Sequence, residues 1–86
     1  MNLEAYRKEI DALDVELLTI LSRRNDIVRK IGAYKKAHAL PTLDPDRKRQ
    51  VLNTFETKAQ TLGLDIEFAR VLYELMHVYA LKTEEA

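Results

Sequence analysis

Residues 3–34 read LEAYRKEIDALDVELLTILSRRNDIVRKIGAY, and the spacing of apolar residues along this stretch decides the fold. Leu3, Tyr6, Ile10, Leu13, Leu17, Ile20, Arg24, Ile27, Ile31 and Tyr34 follow one another at alternating steps of three and four. That is an unbroken heptad seam on an α-helix. Nine of the ten positions are apolar or aromatic, and Arg24 is the exception. No proline and one glycine, Gly32, fall between Met1 and His38. A helix tolerates such a glycine at a cost of about 1 kcal/mol, so the first helix is expected from about Asn2 to about His38.

Two breaks divide the remainder. Pro41 disfavours helical geometry in the residue before it, and Leu40 to Leu43 reads as a connector. Asp44 then offers an N-cap, Pro45 suits the first helical position and Asp46 suits the positive end of the helix dipole. This second helix carries Val51, Leu52, Phe55, Ala59 and Leu62 as its apolar stripe, and Gly63 is placed to end it in a left-handed conformation. Asp65 caps a third helix, with Ala69, Leu72, Tyr73, Met76 and Ala80 on one stripe. No strand pattern, internal repeat or low-complexity segment is visible, and the tail Lys82 to Ala86 reads as loosely held. The fold class expected is all-α, with one long and two shorter helices in a single domain spanning residues 1–86.

Length turns this pattern into an assembly. A helix of about 36 residues is roughly 54 Å long, whereas a compact globule of this size has a radius of gyration of about 12 Å. Helices two and three together only match helix one, so its seam is expected to bury against the same helix of a second copy, giving an intertwined homodimer. A single core is marginal at 86 residues, and without cysteine no disulfide can staple it. The 14 basic and 14 acidic residues cancel, unlike the field of a nucleic-acid binder. Charges recur through the first thirty residues, leaving no apolar run for a signal peptide or membrane span, so a cytoplasmic protein is expected. His38 and His77 lie far apart with no cysteine or paired carboxylate at ligand spacing, and no metal or cofactor is expected.

Cations interrupt the apolar faces in several places. Arg24 on the seam could snorkel to solvent, set register, or meet an anion. Lys35 lies eleven residues on, about 20° from three full turns, so both side chains leave the helix on nearly one face. Their Cα atoms are roughly 16 Å apart, a separation that two long side chains can close on a small dianion. Arg47 and Lys48 precede Val51 and Leu52 by four residues, either continuing the stripe with positive charge or forming a helix-start cluster balanced by Asp44 and Asp46. Glu84 continues the row of Tyr73, Met76 and Ala80. Arg7 flanks Tyr6 about 25 Å from Arg24 along the helix, too far to share one small ligand, but antiparallel pairing would bring it to a partner's site.

With these residues in place the chain resembles the AroQ class of chorismate mutases, small all-helical dimers that convert chorismate to prephenate. YRKEIDALDVELLTILSRRNDIVRKIGAYKK resembles the family's first helix, DPDRKRQVL its second and GLDIEFARVLYELMHVYALKTE its third. The resemblance implies that Arg24, and Arg7 from the other subunit, grip the substrate's two carboxylates. It also implies that Lys35 contacts a carboxylate and the ether oxygen, that Arg47 serves as the second helix's arginine, and that Asp44 lies near the ring hydroxyl. Holding both carboxylates orients the reactive conformer, and donors at the ether oxygen stabilise the charge that grows there. Three positions depart from the common pattern. Glu84 stands where many bacterial members have glutamine, so it must be protonated to donate, and activity is expected to fall with rising pH and to flatten in Glu84→Gln. Lys48 replaces a glutamate that accepts from the substrate hydroxyl, which also disfavours a substrate with an ammonium there. Ala80 stands where some members have serine.

The nearest rival is an isochorismate pyruvate lyase of the same fold, against which Asp44 weighs. A non-enzymatic helical dimer, acting as adaptor or regulator, is the other. The partners expected are chorismate and a second copy of the chain, with a shikimate-pathway enzyme docking on the dimer as a conceivable third; no nucleic acid and no membrane are expected.

Overall fold

The computed structural model describes residues 2–86, and among them there are three α-helices and no strand. Helix α1 spans Leu3–Ala37, α2 spans Pro45–Leu62 and α3 spans Ile66–Glu85. Each starts on a polar cap: the side chains of Asn2, Asp44 and Asp65 accept from the backbone N–H groups of Ala5, Arg47 and Phe68 at 2.9, 3.1 and 2.9 Å. These bonds satisfy amides that the helix cannot. At the other end of α2, Gly63 takes φ 72° and Leu64 N–H donates to Ala59 O at 2.8 Å. Helix α1 ends the same way without a glycine. Ala39 takes φ 53°, and Leu40 N–H donates to Lys35 O at 2.8 Å. The backbone hydrogen bonds of this end compensate an alanine in the left-handed region.

Helix α3 is the element that holds the other two. It runs antiparallel to α2, with Arg70 Nε donating to Glu56 at 3.0 Å and Phe55 meeting Tyr73 edge-on at 5.2 Å. It runs in the same direction as the C-terminal half of α1, where Asn25, Val28 and Gly32 are buried. Among the described residues, α1 and α2 do not pack on one another. Leu72 and Met76 are half-buried as their stripe requires, but Leu62, at the end of α2, is 70% exposed and lines an open apolar hollow with Leu64 and Phe68. The tail is a second departure from the sequence reading. Residues 82–85 continue α3, held by Thr83 Oγ1 donating to Asn25 Oδ1 at 3.0 Å and by Lys36 Nζ donating to Ala86 O at 2.5 Å.

The seam of α1 is open to solvent apart from Arg24, its nine apolar members being 43–62% exposed. The chain measures 55 × 24 × 15 Å with a radius of gyration of 16.0 Å. Its 6974 Å² of accessible surface exceeds the roughly 5,200 Å² typical of a folded monomer of this mass by about 1,700 Å². The buried apolar side chains among the described residues are Val28, Ala59, Ala69 and Tyr73. No helix is long and apolar enough to cross a membrane, and no cluster of three or more potential metal ligands is present among these residues.

The left-handed alanine at the end of α1 yields a measurable consequence. Ala39→Gly removes the Cβ conflict at φ 53° and should raise unfolding free energy by about 0.5–1 kcal/mol, net of the glycine's greater unfolded-state entropy. Urea denaturation of both proteins measures this, and a less stable variant would refute the strain argument.

Candidate active site

A cleft of about 230 Å³ opens where the end of α1, the start of α2 and the C-terminal half of α3 converge. Six of the seven residues singled out from the sequence line it: Arg24, Lys35, Asp44, Arg47, Lys48 and Glu84. Arg7 does not; it is exposed on the projecting half of α1. The volume lies below the roughly 300–1,000 Å³ of drug-sized pockets and suits a small metabolite. Four cations against two carboxylates leave the lining nominally positive by two charges.

Lys35 is the most constrained of these groups. Its Nζ donates to Thr42 O at 2.6 Å and lies 2.6 Å from Glu84 Oε1. The side chains are 21% and 10% exposed, so this pair is screened far less than a surface one. The 2.6 Å contact is a charge contact; its angles fall outside hydrogen-bond geometry, and Glu84 Oε1 is buried without a directed donor. Thr42 O reaches Lys35 because the left-handed turn at Ala39 folds the connector back over the last turn of α1.

The remaining groups are held less tightly. Asp44 Oδ1 caps α2 through Arg47 N–H at 3.1 Å, which keeps its carboxylate at the rim. Arg47 also reaches Gln50 Oε1 at 3.4 Å. Lys48 Nζ lies 3.5 Å from Glu74 Oε2 across the α2–α3 groove, an exposed pair worth about 0–1 kcal/mol at most. Arg24 is half-buried and makes no ion pair among the described residues, leaving its charge available to the cleft. A wider hollow of about 540 Å³ on the other flank of α3 shares only Glu84 with this site. Its Arg29 is paired with Asp26 at 2.7 Å and its Lys36 with Ala86 O, leaving Lys82 as the cation of that hollow without an ion pair among the described residues.

Tyr73, His77 and Leu81 also line the cleft, and the sequence reading assigned none of them to it. Their spacing of four places them on one face with Glu84, a signal present in the sequence but indistinguishable there from a core stripe. Met76, by contrast, turns to an apolar hollow shared with Leu21 and Leu72. Burial pushes the Tyr73 phenol above its ordinary 10.0, the Glu74 carboxylate adds to the rise, and Arg24 and Arg47 pull it partly back. The ring stacks on His77 at 5.7 Å and forms the apolar floor beneath the cations.

Comparison with known proteins fits this arrangement. The chorismate mutase type II family model matches residues 6–85. A 4-amino-4-deoxychorismate mutase of Streptomyces pristinaespiralis is 35% identical over 96% of the chain and 64% of its own length. One from Streptomyces venezuelae is 34% identical over 96% of the chain and 81% of its own. The bifunctional chorismate mutase/prephenate dehydratase of Escherichia coli is 31% identical over 95% of the chain, which covers 21% of that enzyme. The chain therefore spans just under two thirds of the first relative and about a fifth of the bifunctional one.

The Tyr73 shift sets an alkaline limit on stability. A raised folded-state value means that stability is fully present below pH 10.0 and is lost as pH rises through the folded value above it, since the unfolded chain releases this proton first. Melting curves between pH 8 and pH 11.5 should show a shallower alkaline fall in Tyr73→Phe than in the parent protein; parallel falls would contradict the assignment.

Proposed function

The chain belongs to the chorismate mutase type II family, and from that membership we propose that it rearranges chorismate to prephenate, as a single domain working in a homodimer. The observation that carries this reading is the cleft itself: Arg24, Lys35 and Arg47 around a small cavity with a net positive lining. A dicarboxylate matches that charge. In the proposed mechanism Arg24, and Arg7 from the partner subunit, grip its two carboxylates, Arg47 adds a third donor, and Asp44 meets the ring hydroxyl. Gripping both carboxylates selects the compact conformer in which the forming carbon–carbon and breaking carbon–oxygen bonds face each other. Lys35 and a protonated Glu84 then donate to the ether oxygen as it gains negative charge. No nucleophile is required.

Glu84 has two states in this scheme. With the cleft free of substrate it faces the Lys35 ammonium at 2.6 Å as a carboxylate would. Donation to the ether oxygen requires the acid form of Glu84. Activity should accordingly fall as pH rises, and Glu84→Gln, which donates at every pH, should flatten the profile. An unchanged profile in that variant would reject a donor role for Glu84.

The two Streptomyces relatives are named for a substrate carrying an amino group. Here Lys48 lines the cleft, and an ammonium would meet it as a like charge only partly compensated by Glu74. Chorismate is therefore the preferred substrate of this chain. Incubating the protein with chorismate, with 4-amino-4-deoxychorismate and with isochorismate, and identifying products by NMR, tests the assignment. Prephenate from chorismate is expected, with Arg24→Ala and Lys35→Ala folded and slower by on the order of 10²–10³-fold. Faster turnover of the amino substrate, or salicylate and pyruvate from isochorismate alone, would replace it.

The dimer is supported by the open seam of α1 and by the excess surface, which doubled for two chains falls within the roughly 2,000–5,000 Å² of obligate interfaces. Arg7 gives it a functional test. Arg7→Ala and Arg24→Ala proteins should each be nearly inactive, yet after mixing and subunit exchange one intact site per heterodimer should restore about a quarter of full activity. No recovery in exchanged dimers would place Arg7 outside the site.

A further inference from the structure

The contact between Lys35 and Glu84 depends on an approach of two helices that only one residue type permits. A Cβ placed on Gly32 would stand 2.8 Å from Glu84 Cα, 2.9 Å from Glu84 O and 3.3 Å from its carbonyl carbon. Separations below 3.0 Å are essentially never found for a real Cβ, and the obstacle is backbone, which cannot rotate away as a side-chain tip can. Lys35 sits three residues beyond Gly32, on the neighbouring row of the same helix face. The close approach and the ammonium it serves are therefore one turn apart.

A second tie fixes the same turn of α3. Thr83 Oγ1 lies 3.0 Å from the buried Asn25 Oδ1, seven residues before Gly32 and beside Arg24. The hydroxyl also lies 3.0 Å from Tyr79 O, so its single proton is shared between an acceptor on its own helix and one on α1. A steric seat at Gly32 and a hydrogen bond at Asn25 thus bracket Glu84, leaving its carboxyl 10% exposed and aimed at Lys35.

We propose that Gly32 is a positioning residue for the rearrangement: its bare Cα seats the last turn of α3 on α1 and sets Glu84 against Lys35, with the Asn25–Thr83 bond fixing the rotation of that turn. The kinetic consequence rests on the mutase reading, while the structural one does not. An ordinary contact of 3.4–4 Å would require the Glu84 backbone to retreat by about half an ångström or more. Misplacement on the ångström scale costs up to about 10²-fold in rate.

Gly32→Ala is the direct test. Alanine is the better helix former, so α1 should fold at least as well. In this variant kcat should fall by about ten- to a hundredfold while KM changes by less than about threefold. Its crystal structure should show the Lys35–Glu84 contact opened from 2.6 Å. In a Glu84→Ala background the same substitution should slow the enzyme by less than about threefold more, since nothing remains to be positioned. Thr83→Val should lower kcat in the same manner, and Thr83→Ser should restore it. Gly63→Ala, strained at φ 72° in open space at the α2–α3 turn, should lose stability and keep kcat. Full kcat in Gly32→Ala, additive losses in the double variant, or an intact 2.6 Å contact in the variant crystal would each overturn the proposal. A parent protein inert toward chorismate would sink the mutase reading instead, and the crystal comparison would still decide the seating of α3.

Discussion

A helix of 35 residues has more side to cover than the 38 residues of α2 and α3 together can supply. Only α3 packs on α1, along one flank of its second half, while α2 packs on α3, so the seam from Leu3 to Tyr34, Arg24 apart, faces water in the single chain. Apolar area on that scale costs free energy at about 25 cal/mol per Å² while exposed. In the proposed homodimer a second copy would match the seam along its whole length, because the seam is self-complementary in pattern. The same pairing would carry Arg7 some 25 Å from its own chain's cleft to the other one, and assembly and completion of the site would then be one event.

The cleft in turn depends on charge that folding leaves only partly paired. Lys35 is held between a backbone carbonyl and a carboxylate, Lys48 leans on Glu74 at 3.5 Å, and Arg24 is half-buried with no ion pair among the described residues. Concentrating cations in a small space is unfavourable in itself, and the dicarboxylate proposed as substrate would relieve it on entering. Because the cleft's charged groups ride on three capped helices, little reorganisation would be needed when charge appears in the proposed transition state, which is the condition for electrostatic catalysis by preorganised donors.

Much of this arrangement is legible in the sequence because it rests on local rules. Asp44 with Pro45, Gly63 and Asp65 mark helix ends through backbone chemistry confined to a few residues, and the structure places the boundaries there. Arg24, Lys35, Arg47 and Glu84 stand out because charge breaks an apolar period. What escapes is whatever depends on two distant segments meeting. Thr42 enters through its carbonyl, which every residue type shares. Tyr73 and His77 look like core because their stripe is apolar or neutral. Residues 82–85 look frayed at the end of a helix, yet Asn25, 58 residues away, holds Thr83. Gly32 reads as a helical glycine tolerated at about 1 kcal/mol, and only the path of α3 shows why nothing larger fits.

The closeness that excludes a side chain at Gly32 also explains how so small a protein can keep a charged pair out of water. With few fully buried side chains, the chain lacks the bulk to wrap a site, and it uses backbone-to-backbone contact in place of a thick core. Two helices meeting without intervening side chains leave little room for solvent beside Glu84, while the connector after Ala39 covers Lys35 from the other side. The lowered dielectric that results strengthens the interaction of Lys35 with Glu84, whereas Lys48 and Glu74 stay exposed and screened. On the proposed reading, the backbone approach at Gly32 would serve the donors at the ether oxygen, and Lys48 would act on a ring substituent as a nearby but partly screened charge.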